Sequence, residues 1–237
     1  MSQTAIAAGE EARESRRDPD FACQLCPRLA AFREANRIAE PAWRNAPVPT
    51  FGSDQAAVLI VGLAPGLRGA NRTGRPFTGD YAGDLLYTTL IEFGFAEGIY
   101  QARADDGLCL KGCAITNAVR CVPPQNKPTP QEITTCRTFL GATIETAGQL
   151  SAIVALGRIA HDSVVRAFGG KLSAFPFAHG AEHALPPRGN RPRRDGKPIN
   201  LFDSYHCSRY NTNTGVLTPQ MFRDVFAALR RRLDQSA

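Results

Sequence analysis

No run of about eighteen consecutive apolar residues occurs in the 237-residue chain, which excludes a helix long and apolar enough to cross a bilayer. The first twenty residues, MSQTAIAAGEEARESRRDPD, hold no apolar core behind basic residues, so they do not read as a secretory signal. They read instead as a disordered polar lead-in over residues 1–20. Without an export signal, the seven cysteines argue against a disulfide framework. The chain also lacks both G-x-x-x-x-G-K-[ST] and G-x-G-x-x-G, which weighs against an enzyme that cradles nucleotide phosphates. Internal repeats and low-complexity tracts are absent as well.

What is present suits one globular domain, expected over residues 21–237. At 43% hydrophobic and 21% charged, the chain can bury a core. Its net charge of +6 suits an anionic partner such as nucleic acid, although basic proteins often bind none. The most informative stretch is VLIVGLAPGLRGANRTGRPFTGD, from Val58 to Asp80. An apolar run ends at Gly62 and spills into a long loop with further glycines at 66, 69, 74 and 79, which permit close backbone approach or positive φ. Asn71, Arg72, Arg75, Phe77 and Asp80 in that loop can read, clamp, stack on and act on something flat and polar. Loops this long are usually functional, and a nucleobase is the expected ligand.

Four short apolar runs read as strands: Ala57–Gly62, Cys113–Ala118, Ala152–Gly157 and Pro198–Asp203. Helical spacing or capping signals predict helices after the cysteine step at residue 26, from about Asp80 to Phe95, from Thr129 to Ala147, from Arg158 to Phe168 and from Thr218 to Leu233. The expectation is an α/β chain with one central four-stranded parallel sheet covered on both faces. Ligands in such folds bind beyond the carboxyl ends of the strands. Residues 41–54, with three prolines, read as a connection across the surface. Phe175 to Leu185 is ambiguous, and residues 186–197 form a basic, proline-rich loop that contacts phosphates or is merely solvated.

Cys23 and Cys26 form a C-x2-C step before the first helix; Cys121 precedes a proline-rich loop and Cys136 lies on a helix. Four thiolates suit either a structural zinc or an iron–sulfur cluster. Cys109, Cys113 and Cys207 fall outside the pattern and read as ordinary buried thiols.

With those four cysteines, the segments GLAPGLRGANRTGRPFTGD, TNAVRCVPPQNKPTP and SYHCSRYNTNTG resemble the family 5 (type b) uracil-DNA glycosylases, bacterial and archaeal relatives of the iron–sulfur family 4 enzymes. The resemblance runs from about Phe21 to Leu233. It implies the three-layer α/β/α uracil-DNA glycosylase fold, a 4Fe-4S cluster on Cys23, Cys26, Cys121 and Cys136, and a monofunctional hydrolase of base-excision repair. Such an enzyme removes uracil, and other deaminated bases such as hypoxanthine, from DNA. A cytoplasmic monomer acting on the nucleoid is the corresponding expectation. The rival reading is a slow binding module that captures uracil-containing or damaged DNA.

Position by position, the resemblance implies that Gly62, Leu63, Ala64, Pro65 and Gly66 line the base pocket and that Phe77 stacks on the flipped base. Asp80 matches the acidic residue near the attacking water, Asn117 the asparagine that reads the base edge, and His206 the histidine of the second motif. Each has a plainer rival: a helix cap for Asp80, core for Phe77, a turn for Asn117. His206-Cys207-Ser208 departs from the usual His-Pro-Ser, and loss of the proline is expected to loosen that loop. Asn71, Arg72, Ser208, Arg209, Tyr210 and Asn211 are the expected DNA contacts. His161 and His183 read as structural or solvated, and His179 as a supporting residue.

Overall fold

A computed structural model describes residues 17–186 and 197–235. The four expected strands are β2 (Val58–Gly62), β5 (Cys113–Asn117), β6 (Ala152–Leu156) and β8 (Ile199–Ser204). They lie parallel in the order β5-β2-β6-β8. Two antiparallel edge strands extend the sheet to six: β1 (Phe51–Gly52) beside β5, and β7 (Glu182–Leu185) beside β8. β3 (Ala96–Glu97) and β4 (Cys109–Leu110) form a separate two-stranded ribbon.

Alternation along the central strands sorts side chains into two cores, because successive residues point to opposite faces. Ile60, Ile115, Val154 and Phe202 face one layer, where Leu86 and Leu90 of α3 (Tyr81–Glu92) meet Phe222 and Phe226 of α7 (Pro219–Asp234). Leu59, Val61, Ile153 and Leu201 face the other, against Leu140 and Ile144 of α4 (Pro130–Thr146) and Val164 and Val165 of α5 (Arg158–Ala167). The result is the expected three-layer α/β/α architecture. Burying one such aliphatic side chain contributes roughly 1.5–3 kcal/mol. Among the described residues, further α-helices are α1 (Pro27–Ala39), the four-residue α2 (Ala70–Thr73) and the short α6 (Arg209–Asn213).

Helix starts follow the local chemistry. Thr129 caps α4 in a reciprocal capping box with Glu132, with Pro130 at its first position. Glu132 also takes two hydrogen bonds from Arg28, at 2.8 and 2.6 Å, which ties α1 to α4.

Two expectations are corrected. Residues 41–54 do not simply cross the surface: Asn45, Ala46 and Val48 are buried. Asn45 adopts a left-handed φ of 46° and donates its side-chain N–H to the carbonyls of Asn36 and Glu40, so its polarity is consumed in closing the end of α1. The domain also begins before Phe21. Arg17 is buried, and Asp18 pairs with the fully buried guanidinium of Arg120, which also donates to Thr50 and Thr143. Residues 1–16 and the arginines of the basic loop (Arg188, Arg191, Arg193, Arg194) lie outside the described residues.

Removing one partner of a buried ion pair leaves the other charge uncompensated. Asp18→Ala is therefore expected to lower stability by about 3 kcal/mol in urea unfolding, since Arg120 stays buried. Loss under about 0.5 kcal/mol, the usual size of a surface substitution, would mean that residues 17–20 are not part of the domain.

Candidate active site

The chain leaves β2 for β5 on one side and later returns to β6 on the other, so the strand order reverses at the end of β2. Crevices form at such reversals. Here the strand ends in Gly62, paired in register with Asn117 at the end of β5. A Cβ on Gly62 would lie 2.5 Å from both Asn117 Oδ1 and Phe77 Cζ. Only the bare backbone lets an amide from the next strand and a ring from the following loop meet there. Phe77 in turn stacks toward His206, with ring centroids 5.8 Å apart. Two residues expected at the base pocket, Asn117 and Phe77, thus meet at one glycine, and a third, His206, lies beside Phe77.

Phe77 has φ of 52°, a conformation costly for a bulky side chain. Its neighbours impose it. Arg75 forms a two-pronged ion pair with Asp106, 2.7 Å for each contact, with both side chains buried. Its guanidinium lies 5.2–5.8 Å from the ring centres of Tyr87, Phe51 and Tyr100. Those tyrosines donate to the loop backbone: Tyr87 to the Pro76 carbonyl at 2.7 Å, Tyr100 to the Phe77 carbonyl at 3.1 Å. The hydrogen bonds from Arg75 hold the Asp106 carboxyl well below the usual range. Sequence reading missed this clamp, because two oppositely charged residues 31 positions apart carry no spacing signal.

Asp80 occupies the N-cap position of α3, but its side chain makes no capping hydrogen bond. It is folded back against the loop, where Cβ atoms on Gly66 or Gly69 would collide with Oδ2. Its Oδ1 is buried with no hydrogen-bond partner. Burial pushes the carboxyl up, against the weaker pull of the amides at Gly83 and Ala82.

His206 is half-buried in the loop after β8, with its Cβ 3.4 Å from where a Cβ on Gly157 would sit. Gly157 has φ of 97°, a value open to glycine, so β6 can turn away and leave room for that loop. Desolvation pushes the imidazole down to about 4, and it is neutral at pH 7. The loop around Cys207 is held by two contacts. Asn211 Nδ2 donates to the His206 carbonyl at 2.8 Å, and Cys207 is fully buried with its thiol 3.5 Å from the Ala82 carbonyl.

Among the expected DNA contacts, Arg72, Arg209 and Tyr210 are exposed, and Arg209 lies over the Tyr81 ring. Ser208 caps α6, and Asn211 serves the loop itself. Asn71 is corrected: it is fully buried, donating to Asn45 Oδ1 at 2.8 Å, and cannot touch DNA.

The four cysteines assigned to a metal converge. Cys23 and Cys26 before α1, Cys121 after β5 and Cys136 on α4 line one small apolar cavity with Leu29 and Phe139. Arg33 donates to Cys121 Sγ at 2.8 Å, and the Arg120 amide to Cys136 Sγ at 3.2 Å. Burial holds these thiols high, Cys121 at about 11 and Cys136 at about 12, so in the bare protein they stay protonated. Four convergent sulfurs with N–H donors and a buried cation beside them fit a thiolate-bound metal centre. A separate cleft of about 420 Å³, lined by His179, Glu182, Met221, Asp224 and Arg231, lies away from Gly62 and holds none of the expected catalytic residues.

The clamp on Phe77 gives a direct test. Asp106→Asn is expected to cost about 3 kcal/mol at pH 7, because Arg75 stays buried without its carboxylate. The depressed carboxyl of Asp106 stabilises the fold above its unfolded value of about 3.9 and stops doing so as pH falls below it. The stability gap between wild type and variant should therefore narrow in acid. A gap that is constant with pH would show that the pair does not carry it.

A family model for the uracil DNA glycosylase superfamily matches residues 49–230. The chain is 46% identical to the type-5 uracil-DNA glycosylase of Thermus thermophilus, over 89% of this chain and 93% of that protein. It is 39% identical to the type-5 enzyme of Mycobacterium tuberculosis over 88% and 77% of the two chains. With that of Pyrobaculum aerophilum the figures are 35%, 86% and 85%. A parallel sheet whose order reverses at a bare glycine, where an asparagine and a phenylalanine meet with a histidine beside the ring, is thus joined to likeness along most of the chain: this protein belongs to the uracil-DNA glycosylase superfamily, in its type-5 branch.

Proposed function

We propose that the protein flips uracil, and other deaminated bases such as hypoxanthine, out of DNA and hydrolyses the N-glycosidic bond to leave an abasic site. The observation that carries this reading is the meeting of Asn117 and Phe77 at Gly62, with His206 stacked beside Phe77. Flipping a base costs a few kcal/mol, least for a mismatched one, and stacking on Phe77 returns roughly 1–3 kcal/mol. Asn117 both donates and accepts, which matches the polar edge of a pyrimidine or of hypoxanthine. Arg72, Arg209 and Tyr210 are exposed and would contact the flanking strand, so binding would fall steeply with salt.

In the reaction, water adds to C1′ of the sugar as the bond to the base breaks; the electron pair leaves with the base nitrogen, and the proton that the water gives up returns to the departing base through solvent. Positive charge develops on the sugar and negative charge on the base. His206, neutral because it is desolvated, donates an N–H to the departing base oxygen as an oxyanion hole does. Asp80 orients the water and faces the cationic sugar; its partnerless buried oxygen is available for that hydrogen bond. A metal centre is not needed for these steps. Cys23, Cys26, Cys121 and Cys136 would hold a 4Fe-4S cluster, whose contribution when bound is to pin α1, α4 and the segment after β5 together.

In single-turnover assays on a uracil-containing oligonucleotide, Asp80→Asn and His206→Ala are each expected to slow cleavage by about 10²-fold or more. Asp80→Asn should also raise the melting midpoint at pH 7. The buried acid stabilises the fold below its unfolded value and loses that as pH rises through its raised folded one, so a neutral amide removes the penalty. Unchanged rates in both variants would remove this site.

The single-turnover rate should show no break near the ordinary histidine value of about 6.5, since His206 is already neutral there. A break at that pH lost in His206→Asn would mean that the charged imidazole is the working form. The cluster predicts brown protein with broad visible absorption; colourless protein whose zinc is lost in Cys121→Ala would overturn it.

A further inference from the structure

Three side chains from three elements converge behind the loop that carries His206: His161 on α5, His183 on β7 and Asp203 on β8. Asp203 and His161 are buried, and the His183 side chain is 13% exposed. The carboxylate turns one oxygen to each imidazole. Its Oδ1 lies 2.8 Å from His161 Nδ1, and its Oδ2 lies 3.3 Å from His183 Nε2. One ligand atom from each residue lies within 4.8 Å of the others. On the far side, His161 Nε2 is 2.8 Å from the Phe175 carbonyl oxygen. A carbonyl only accepts, so that nitrogen carries a proton and Nδ1 is left to face the carboxylate.

A second proton on Nδ1 would satisfy Asp203 Oδ1, but it does nothing for the other half of the cluster. His183 Nε2 and Asp203 Oδ2 are both buried and, among the described residues, neither has a hydrogen-bond partner, although they face each other. A cation seated on the open edge of the carboxylate satisfies all four inward atoms together.

We propose that His161, His183 and Asp203 form a binding site for a divalent first-row cation such as zinc, held by two imidazole nitrogens and both oxygens of the aspartate. Imidazole and carboxylate are a donor set that zinc accepts. The hydrogen bond from the outer nitrogen of His161 to a backbone carbonyl is the usual support for a ligating histidine, fixing its tautomer. Phe177, 5.5 Å from His161, and Phe175, 5.8 Å from His183, wall the site with ring edges. Asp203 stands three residues before His206, and α5 begins at the glycine against which His206 packs. A cation here ties α5 and β7 to β8 behind the base pocket, and its role is to brace that loop rather than to take part in the reaction. The site is distinct from the four cysteines.

The test uses the full chain as purified, treated with a chelator, desalted and titrated with zinc by calorimetry and with cobalt by visible spectroscopy. The wild type should take up one saturable equivalent, with a cobalt spectrum that lacks sulfur-to-metal charge transfer. His183→Ala, at the most exposed of the three ligands, should weaken that equivalent at least tenfold while melting cooperatively; Asp203→Asn should abolish it. At the same zinc concentration the melting midpoint of the wild type should rise by more than that of His183→Ala. No saturable equivalent in the wild type overturns the proposal in favour of a doubly protonated His161, visible as two ring N–H resonances. Binding unchanged in His183→Ala, or a cobalt spectrum dominated by sulfur, overturns it in favour of the cysteines.

Discussion

The absence of a side chain at position 62 is the constraint on which the rest of the site depends. Where the strand order reverses, β2 delivers Gly62 between Asn117 from the neighbouring strand and Phe77 from its own loop. A methyl group there would have to displace an amide fixed by the sheet register or a ring fixed by its own backbone. Neither can yield cheaply. Asn117 ends a buried strand, and the peptide of Phe77 is pinned through Pro76, Tyr87, Tyr100 and the Arg75–Asp106 pair. The left-handed backbone at Phe77 is tolerated because those contacts over-determine it.

A second layer supports the first. The amides of Ala118 and Val119 donate to the carbonyls of Gly62 and Leu63, which extends the β2–β5 pairing past the strands. Val119 and Ala64 then pack with Leu29, Cys121 and Cys136, so the cysteine centre abuts the back of the base loop. A metal on those sulfurs would stabilise the pocket by fixing the backbone that forms its wall, at a distance from the chemistry. The same economy applies to charge. The site holds a carboxyl that burial pushes up and an imidazole that burial pushes down. The raised carboxyl costs folding free energy at neutral pH, whereas the depressed imidazole costs it only in acid, below its unfolded value of about 6.5; both shifts follow from enclosing polar groups.

Much of this was legible in the residues. The four parallel strands and the five long helices follow from continuous apolar runs, helical spacing and caps such as Thr129 and Thr218. The elements that escaped notice lack any such signal. β1 has two residues, too few for a period, and β7 alternates weakly because it is an edge. Asn45 and Asn71 look like loop polarity in a sequence. Burial is tolerated because the Asn71 amide donates to Asn45 Oδ1 while Asn45 donates to the helix-end carbonyls of Asn36 and Glu40. The Arg75–Asp106 clamp is a purely tertiary fact. Gly157 was visible only as the end of a strand, and its role appears once its positive φ is set beside His206.

Cys207 shows why local rules must be weighed against their surroundings. A proline after the histidine would fix φ within the chain itself, so its loss reads as a looser loop. Here the loop is fixed from outside. Asn211 reaches back from α6 to the His206 carbonyl, Ser208 begins that helix as its cap, and the thiol of Cys207 is sealed against α3 near Asp80. Burial and the nearby carboxylate push that thiol up, so it stays neutral, unreactive filling. The cost is a dependence on packing: the geometry of His206 rests on a sulfur in a close-fitted space, and a change of one methylene there is felt in the position of the imidazole.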